Sequence, residues 1–101
     1  MTHKLVYLAN AKADLDSIYD WIADHADPHT ALAYTSRIEA ACARLTTFPN
    51  QGTPRDDILP GLRTIAVQRR DVIFYRVDGD TVSIVGVIHR GRDLGLAFED
   101  E

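Results

Sequence analysis

The chain has 101 residues, of which 46% are hydrophobic and 26% charged, with one cysteine and a formal net charge of −4. That length holds one domain, because domains usually run about 50 to 250 residues and a second core would not fit, and the composition is that of a globular protein rather than a disordered or membrane one. A lone Cys42 makes neither an intramolecular disulfide nor a cysteine metal cage, no charged-then-apolar leader opens the chain, and no apolar run nears the roughly 18 residues of a membrane span; a reducing, cytoplasmic setting is expected.

Lys4-Leu5-Val6-Tyr7-Leu8 is a short β-prone run that reaches Asn10, a favoured helix N-cap residue. Apolar Leu15, Ile18, Tyr19, Ile22 and Ala26 then repeat at helical spacing, with Asp14 and Asp16 suited to the positive N-terminal end, so a helix is expected from Ala11 to about Ala26. Asp27-Pro28 restarts the chain as N-cap and first helical residue. The second helix presents Ala31, Tyr34, Ile38, Ala41, Leu45 and Phe48 on one face and stops at Pro49. With almost no loop between them, the two helices fold back as an antiparallel hairpin.

Residues 49–61 hold Pro49, Asn50, Gly52, Pro54, Pro60 and Gly61, which is loop composition. Three strands follow: Leu62 to Gln68, Val72 to Val77 after a polar turn ending at Asp71, and Val82 to His89 after the turn Asp78-Gly79-Asp80. The expected fold is α+β, in the order β-α-α-β-β-β, with the helical hairpin packed on one face of a mainly antiparallel sheet. Residues 1–101 form one domain and 90–101 a C-terminal tail. At this size the core is modest, and stabilisation by a bound partner is expected.

A net negative charge argues against a general nucleic-acid binder, since phosphate neutralisation needs clustered Lys and Arg. The charge is polarised, however. Six arginines (Arg63, Arg69, Arg70, Arg76, Arg90, Arg92) face three aspartates (Asp71, Asp78, Asp80) between Arg63 and Arg92, while acid gathers in Asp14, Asp16, Asp20, Asp24 and Asp27 and again in Glu99, Asp100 and Glu101.

Several residues at the joints of these elements carry a further signal. They are Ala13-Asp14-Leu15 with Ile18, Ala33 through Ile38, Leu45 with Phe48-Pro49, Gly52 and Arg55, Gly61-Leu62-Arg63, Val72-Ile73-Phe74-Tyr75-Arg76-Val77, and Val85-Gly86-Val87-Ile88-His89 running to Arg92-Asp93. In this order and in a chain of this size they resemble the RelE/ParE toxins of type II toxin–antitoxin systems. The resemblance implies a toxin of the kind that stabilises plasmids, held in a hetero-oligomer by a cognate ParD-like antitoxin. It implies one of two activities: inhibition of DNA gyrase without catalysis, as in the ParE branch, or ribosome-dependent cleavage of messenger RNA, as in the RelE branch. No cofactor, metal, membrane contact or sequence-specific DNA binding by the toxin itself is implied.

RNA cleavage by attack of a 2′-hydroxyl needs a base, an acid and cations for the transition-state charge. RelE-like enzymes supply these from lysines and arginines on the sheet and a C-terminal Tyr or His. Here the lysines are only Lys4 and Lys12, and no tyrosine follows Tyr75, which favours the ParE branch. If the chain is a ribonuclease, Arg63, His89 and Arg92 are its catalytic candidates. A third alternative is a non-toxic member that serves only as an antitoxin-binding module.

Arg63, Tyr75, His89, Arg90, Arg92 and Trp21 are the candidates for partner contact. Arg63 alternates with Leu62, so a core-facing Leu62 turns Arg63 outward, toward a partner or into an ion pair with Asp71 or Asp93. His89 ends a strand, where a hydrogen bond to backbone or carboxylate is the more frequent role. Arg90-Gly91-Arg92 sets two donors about a flexible glycine. Phe74 and Tyr75 point to opposite faces, and alternation leaves open which one is core. Trp21 lies off the main helical stripe and suits either hairpin packing or a contact surface. His3, His25 and His29 have no metal-ligand spacing. Leu94, Leu96 and Phe98 are apolar among acids, for folding onto the body or for cover by the antitoxin.

Overall fold

The computed structural model describes residues 3–89. Its elements are β1 (Lys4–Tyr7), α1 (Ala9–His25), α2 (Pro28–Arg44), β2 (Thr53–Pro54), β3 (Leu62–Val67), β4 (Asp71–Asp78) and β5 (Thr81–His89). The expected α+β order stands, with one addition. The 49–61 segment contains the two-residue strand β2, which pairs antiparallel with β3 through Thr53 opposite Thr64 and Pro54 opposite Arg63.

The sheet order is β1-β5-β4-β3-β2. Among the described residues only β1 runs parallel to its neighbour, β5; the β5, β4 and β3 ladders are antiparallel. Both helices lie on one face, burying Ala11, Ile18 and Ile22 from α1 and Ala31, Ile38, Ala41 and Cys42 from α2 against Ile73, Tyr75, Val82, Ile84 and Val87. These positions follow the helical and alternating periods that water exclusion requires of a one-sided core.

Two helix ends differ from expectation. Asn10 sits inside the first turn of α1, and Leu8 takes the N-cap position with no side-chain hydrogen bond. The reason is the sheet: Leu8 donates its N–H to Ile84 at 3.0 Å, so β1 hands the chain to the helix two residues earlier than the cap residue suggests. The second helix ends at Arg44 rather than at Phe48, and Phe48 is 61% exposed in the following turn. The restart at Asp27 is as expected: its carboxylate accepts from the Thr30 amide at 2.7 Å and from the Thr30 hydroxyl at 2.9 Å, which holds it below its ordinary acidity range.

A register shift between Phe74 and Tyr75 leaves Val85 as an extra residue in β5. The carboxylate of Asp14, reaching across from α1, accepts the Val87 amide at 2.9 Å, and it lies 3.1 Å from where a Cβ on Gly86 would stand. The bulge thus anchors α1 to β5 by a side chain as well as by apolar packing. The β3–β4 turn carries two consecutive left-handed residues, Gln68 (φ 56°) and Arg69 (φ 69°), while the β4–β5 turn uses Gly79 (φ 60°).

Candidate functional site

Alternation along β4 settles the Phe74 and Tyr75 question: Tyr75 is fully buried on the helix side, and Phe74 lies half-buried on the helix-free face. The Tyr75 hydroxyl accepts from the Gly52 amide at 2.8 Å and donates to the Pro49 carbonyl at 2.8 Å. This places Tyr75 in the core, holding the 49–52 segment, and not on a surface that a partner touches.

Arg63 stands opposite Tyr75 and therefore shares its face. Its Nη1 donates to the carbonyls of Gly52 at 2.7 Å and Asn50 at 3.2 Å. The expectation that Arg63 turns away from the helix side is overturned because Leu62, though buried, belongs to the other face and lies outside the main core cluster. Neither Asp71 nor any other carboxylate pairs with Arg63 among the described residues; the guanidinium braces the loop that Tyr75 also grips. Arg55 forms the nearby surface pair, with Asp57 at 3.0 Å.

At the other end of β4 a buried polar cluster forms. Asp71 is 1% exposed and His89, opposite it on β5, 3% exposed. His89 Nδ1 lies 2.7 Å from Asp71 Oδ1; the carboxylate has only lone pairs to offer, so Nδ1 carries the proton. Asp71 Oδ2 accepts from the Tyr34 hydroxyl at 2.8 Å and from Gln68 Nε2 at 3.3 Å. Burial, and then the bond to Asp71, push the Tyr34 phenol well above its ordinary value. Trp21 presents its ring edge-on to His89 with centroids 5.9 Å apart and stacks on His25 at 4.2 Å. The cluster ties α1, α2, β4 and β5 together where β5 ends.

Arg63 and His89 are therefore not neighbours. Their partners on β4, Tyr75 and Asp71, are four residues apart, which is about 14 Å along a strand. Arg90 and Arg92 lie outside the described residues, as do Leu94, Leu96 and Phe98. Among the described residues no group of three His, Cys, Asp or Glu side chains is placed to hold a metal, and no helix is long and apolar enough to cross a membrane. The Cys42 thiol is pushed up to about 11, chiefly by burial, which leaves it unreactive at neutral pH.

Sequence reasoning read Asp71 as the end of a turn and as a possible ion-pair partner of Arg63, and not as the partner of His89. Its signal was present, since Asp71 shares strand parity with Ile73 and Tyr75. Sequence reasoning passed over Arg37 and Arg44, two exposed residues of α2 that border a groove along β3.

Two helices packed on one face of a five-stranded, mostly antiparallel sheet define the toxin class to which RelE and ParE belong. A structure of the chromosomal ParDE toxin–antitoxin system from P. aeruginosa superposes with a TM-score of 0.76 at 30% identity, covering 87% of this chain and 96% of that one. The RelBE2 toxin–antitoxin complex from Mycobacterium tuberculosis shares the fold, with a TM-score of 0.65 at 24% identity over 89% of this chain and all of its own. Within the class the branch is defined by sequence: residues 5–94 match the family model of the ParE toxin of the type II toxin–antitoxin system parDE, and this chain belongs to that family. Toxin ParE3 of Caulobacter vibrioides is 36% identical over 75 residues, 74% of each chain, and Toxin ParE1 of the same organism is 32% identical over 80 residues, 79% of this chain and 81% of the relative.

Proposed function

We propose that this toxin acts in the cytoplasm without catalysis, inhibits DNA gyrase, and is neutralised by a cognate ParD-like antitoxin in a hetero-oligomer. The observation that carries the non-catalytic part is the separation of Arg63 from His89, two of the three candidate groups. Acid, base and cation must converge within hydrogen-bond reach of one phosphate. Arg63 and His89 stand about 14 Å apart along the sheet. The first donates its Nη1 to backbone carbonyls and the second is buried against a carboxylate. An antitoxin partner is supported by membership of the ParE family and by likeness to a ParDE toxin–antitoxin system, and the gyrase target by the resemblance to the ParE branch.

Conditional expression in bacteria tests this reading. Filamentation and a DNA-damage response, with early protein synthesis intact, are expected, as is their suppression by a co-expressed antitoxin. An immediate stop in translation with cleaved messenger would overturn it in favour of the ribonuclease, and normal growth at full expression would leave a binding module.

A further inference from the structure

Turns that need a positive φ usually take glycine or asparagine. The β3–β4 turn instead holds Gln68 at φ 56° and Arg69 at φ 69°, so it carries backbone strain while keeping two long side chains. Gln68 accounts for its place: its Oε1 accepts from Arg37 Nε at 2.7 Å and its Nε2 donates to Asp71 at 3.3 Å, which ties α2 to the turn. Arg69 and Arg70 are exposed at the tip, and their guanidiniums make no hydrogen bond or ion pair with any described residue. Their charge is unspent within residues 3–89.

Two further arginines continue the run. Arg37 and Arg44 are exposed on α2, seven residues or about 10.5 Å apart along the helix, and both border the groove that Gln68 also lines. Burial and the Asp71 bond raise the Tyr34 phenol, and against them the charges of Arg70 and Arg37 both pull it down, so turn and helix surround one point. The ion pairs among the described residues are Arg55–Asp57, Arg76–Asp78 and Asp71–His89, and none uses these four guanidiniums. Asp71 adjoins the turn, but it is 1% exposed and engaged by His89, Tyr34 and Gln68. Glu39, about 200° round the helix from Arg37, is among the groups that, after burial and Cys42, raise Tyr7 on β1, so it faces away. The remaining acid of the helices is on α1, where Asp16, Asp20 and Asp24 are exposed, which is how a chain of net charge −4 presents a basic edge.

A run of guanidiniums with no acid among them suits a uniform chain of anions. Protein partners are held chiefly on buried aromatic anchors, and single-stranded nucleic acid on aromatic rings set among the cations. Here the exposed aromatic is Phe48, which stands past Arg44 at the end of the run. A duplex fits better: one strand carries a phosphate about every 3.4 Å of axis, so the interval from Arg37 to Arg44 spans about three. We propose that Arg37, Arg44, Arg69 and Arg70 form a sequence-independent site for the phosphate backbone of duplex DNA. The proposal rests on the reading that the target is gyrase, whose substrate is duplex DNA, and it gives the toxin a hold on that DNA besides its hold on the enzyme.

The test uses the full chain and a fluorescein-labelled DNA duplex of mixed sequence, with anisotropy read from about 50 to 200 mM salt. Four phosphate contacts predict a slope of log affinity on log salt of about −3.6, roughly a hundredfold loss over that range. An unlabelled duplex of unrelated sequence is expected to compete equally. Arg69→Gln with Arg70→Gln is expected to flatten the slope by about two and to weaken binding at least tenfold at the lowest salt, and Arg37→Gln with Arg44→Gln to do the same. Arg55→Gln with Arg76→Gln, outside the run, is expected to leave affinity within twofold. Circular dichroism identifies any variant that fails to fold, and amide NMR of the unsubstituted chain gives an independent reading: duplex is expected to shift residues 37–44 and 67–71. Absence of binding at the lowest salt overturns the proposal, as do shifts centred on β1 or the helix-free face, or a slope unchanged in both folded double variants. So does displacement of the duplex more effectively by polyglutamate, single-stranded DNA or RNA at equal charge, which would make the run a site for acidic protein or for another nucleic acid. Gyrase is absent from this experiment, so its failure is distinct from failure of the gyrase reading.

Discussion

Replacing Tyr75 by phenylalanine removes one oxygen from the middle of the protein and leaves the ring in place. That oxygen accepts from Gly52 N–H and donates to Pro49 C=O, both at 2.8 Å. Gly52 is buried, whereas Pro49 is half-buried and regains water. The loss is therefore set by one stranded donor, about 1 to 3 kcal/mol, and we take about 2 kcal/mol. For a domain of this size each kcal/mol moves the melting midpoint by about 4 to 8 °C, so Tyr75→Phe should melt about 8 to 16 °C lower. Urea denaturation should show a lower midpoint at unchanged slope, because the surface exposed on unfolding is the same. A loss below about 0.5 kcal/mol would refute the view that Tyr75 clamps the 49–52 segment. Gly52→Ala probes the same clamp from the other side: its Cβ would stand 2.6 Å from the Tyr75 hydroxyl and 2.8 Å from the Thr64 carbonyl. Backbone cannot yield there, and we expect a cost of about 3 kcal/mol or more.

Asp14→Ala should cost about 1 to 3 kcal/mol by orphaning the Val87 amide at the β5 bulge, and Asp14→Asn clearly less, because an amide oxygen still accepts; equal losses in chemical denaturation would contradict this. Tyr34 is raised above its ordinary 10.0 by burial and by Asp71, so its contribution to stability is fully present below pH 10 and fades as pH rises beyond it. Melting followed from pH 8 to 11 should show that fall, to which Cys42 and Tyr7, also raised chiefly by burial, contribute, and Tyr34→Phe should make it shallower; an unchanged slope would contradict the assignment. Asp27 is lowered by its bonds to Thr30, so its capping contribution is present above the ordinary value of 3.8 and lost as pH falls through the lower folded value. The gap in melting midpoint between wild type and Asp27→Ala should therefore close as pH drops below 4, and a constant gap would sink the capping argument.

Much of the fold was legible because its signals are local. Asp27-Pro28 announces a helix start through one side chain and one missing N–H, and Ile18, Ile22, Ile38 and Ala41 repeat at the period that a buried face demands. What failed were signals set by distant neighbours. Asn10 is a good cap in isolation, yet Leu8 is tied to Ile84 across the sheet, and that bond decides where the helix begins. Leu62 is apolar and buried but on the helix-free face, so reading Arg63 as outward from Leu62 inverted the strand. The bulge at Val85 is likewise invisible without the register of β4. The site was less legible than the fold, since Tyr75 and His89 have the chemistry of contact residues but are buried in internal bonds, and Arg63 turns one nitrogen to the 50–52 backbone. Asp71 was readable by parity with Ile73 and Tyr75. The groove of Arg37 and Arg44 was not, because nothing in the sequence shows that β2 is only two residues long.

The central claim is tested most directly by incubating purified toxin with DNA gyrase, supercoiled plasmid and ATP, then denaturing the enzyme and scoring the DNA. Inhibition of supercoiling with accumulation of linear, gyrase-cleaved plasmid, reversed by adding a cognate antitoxin, is the predicted result. Unaltered supercoiling, together with cleavage of ribosome-bound messenger by the same preparation, would contradict it.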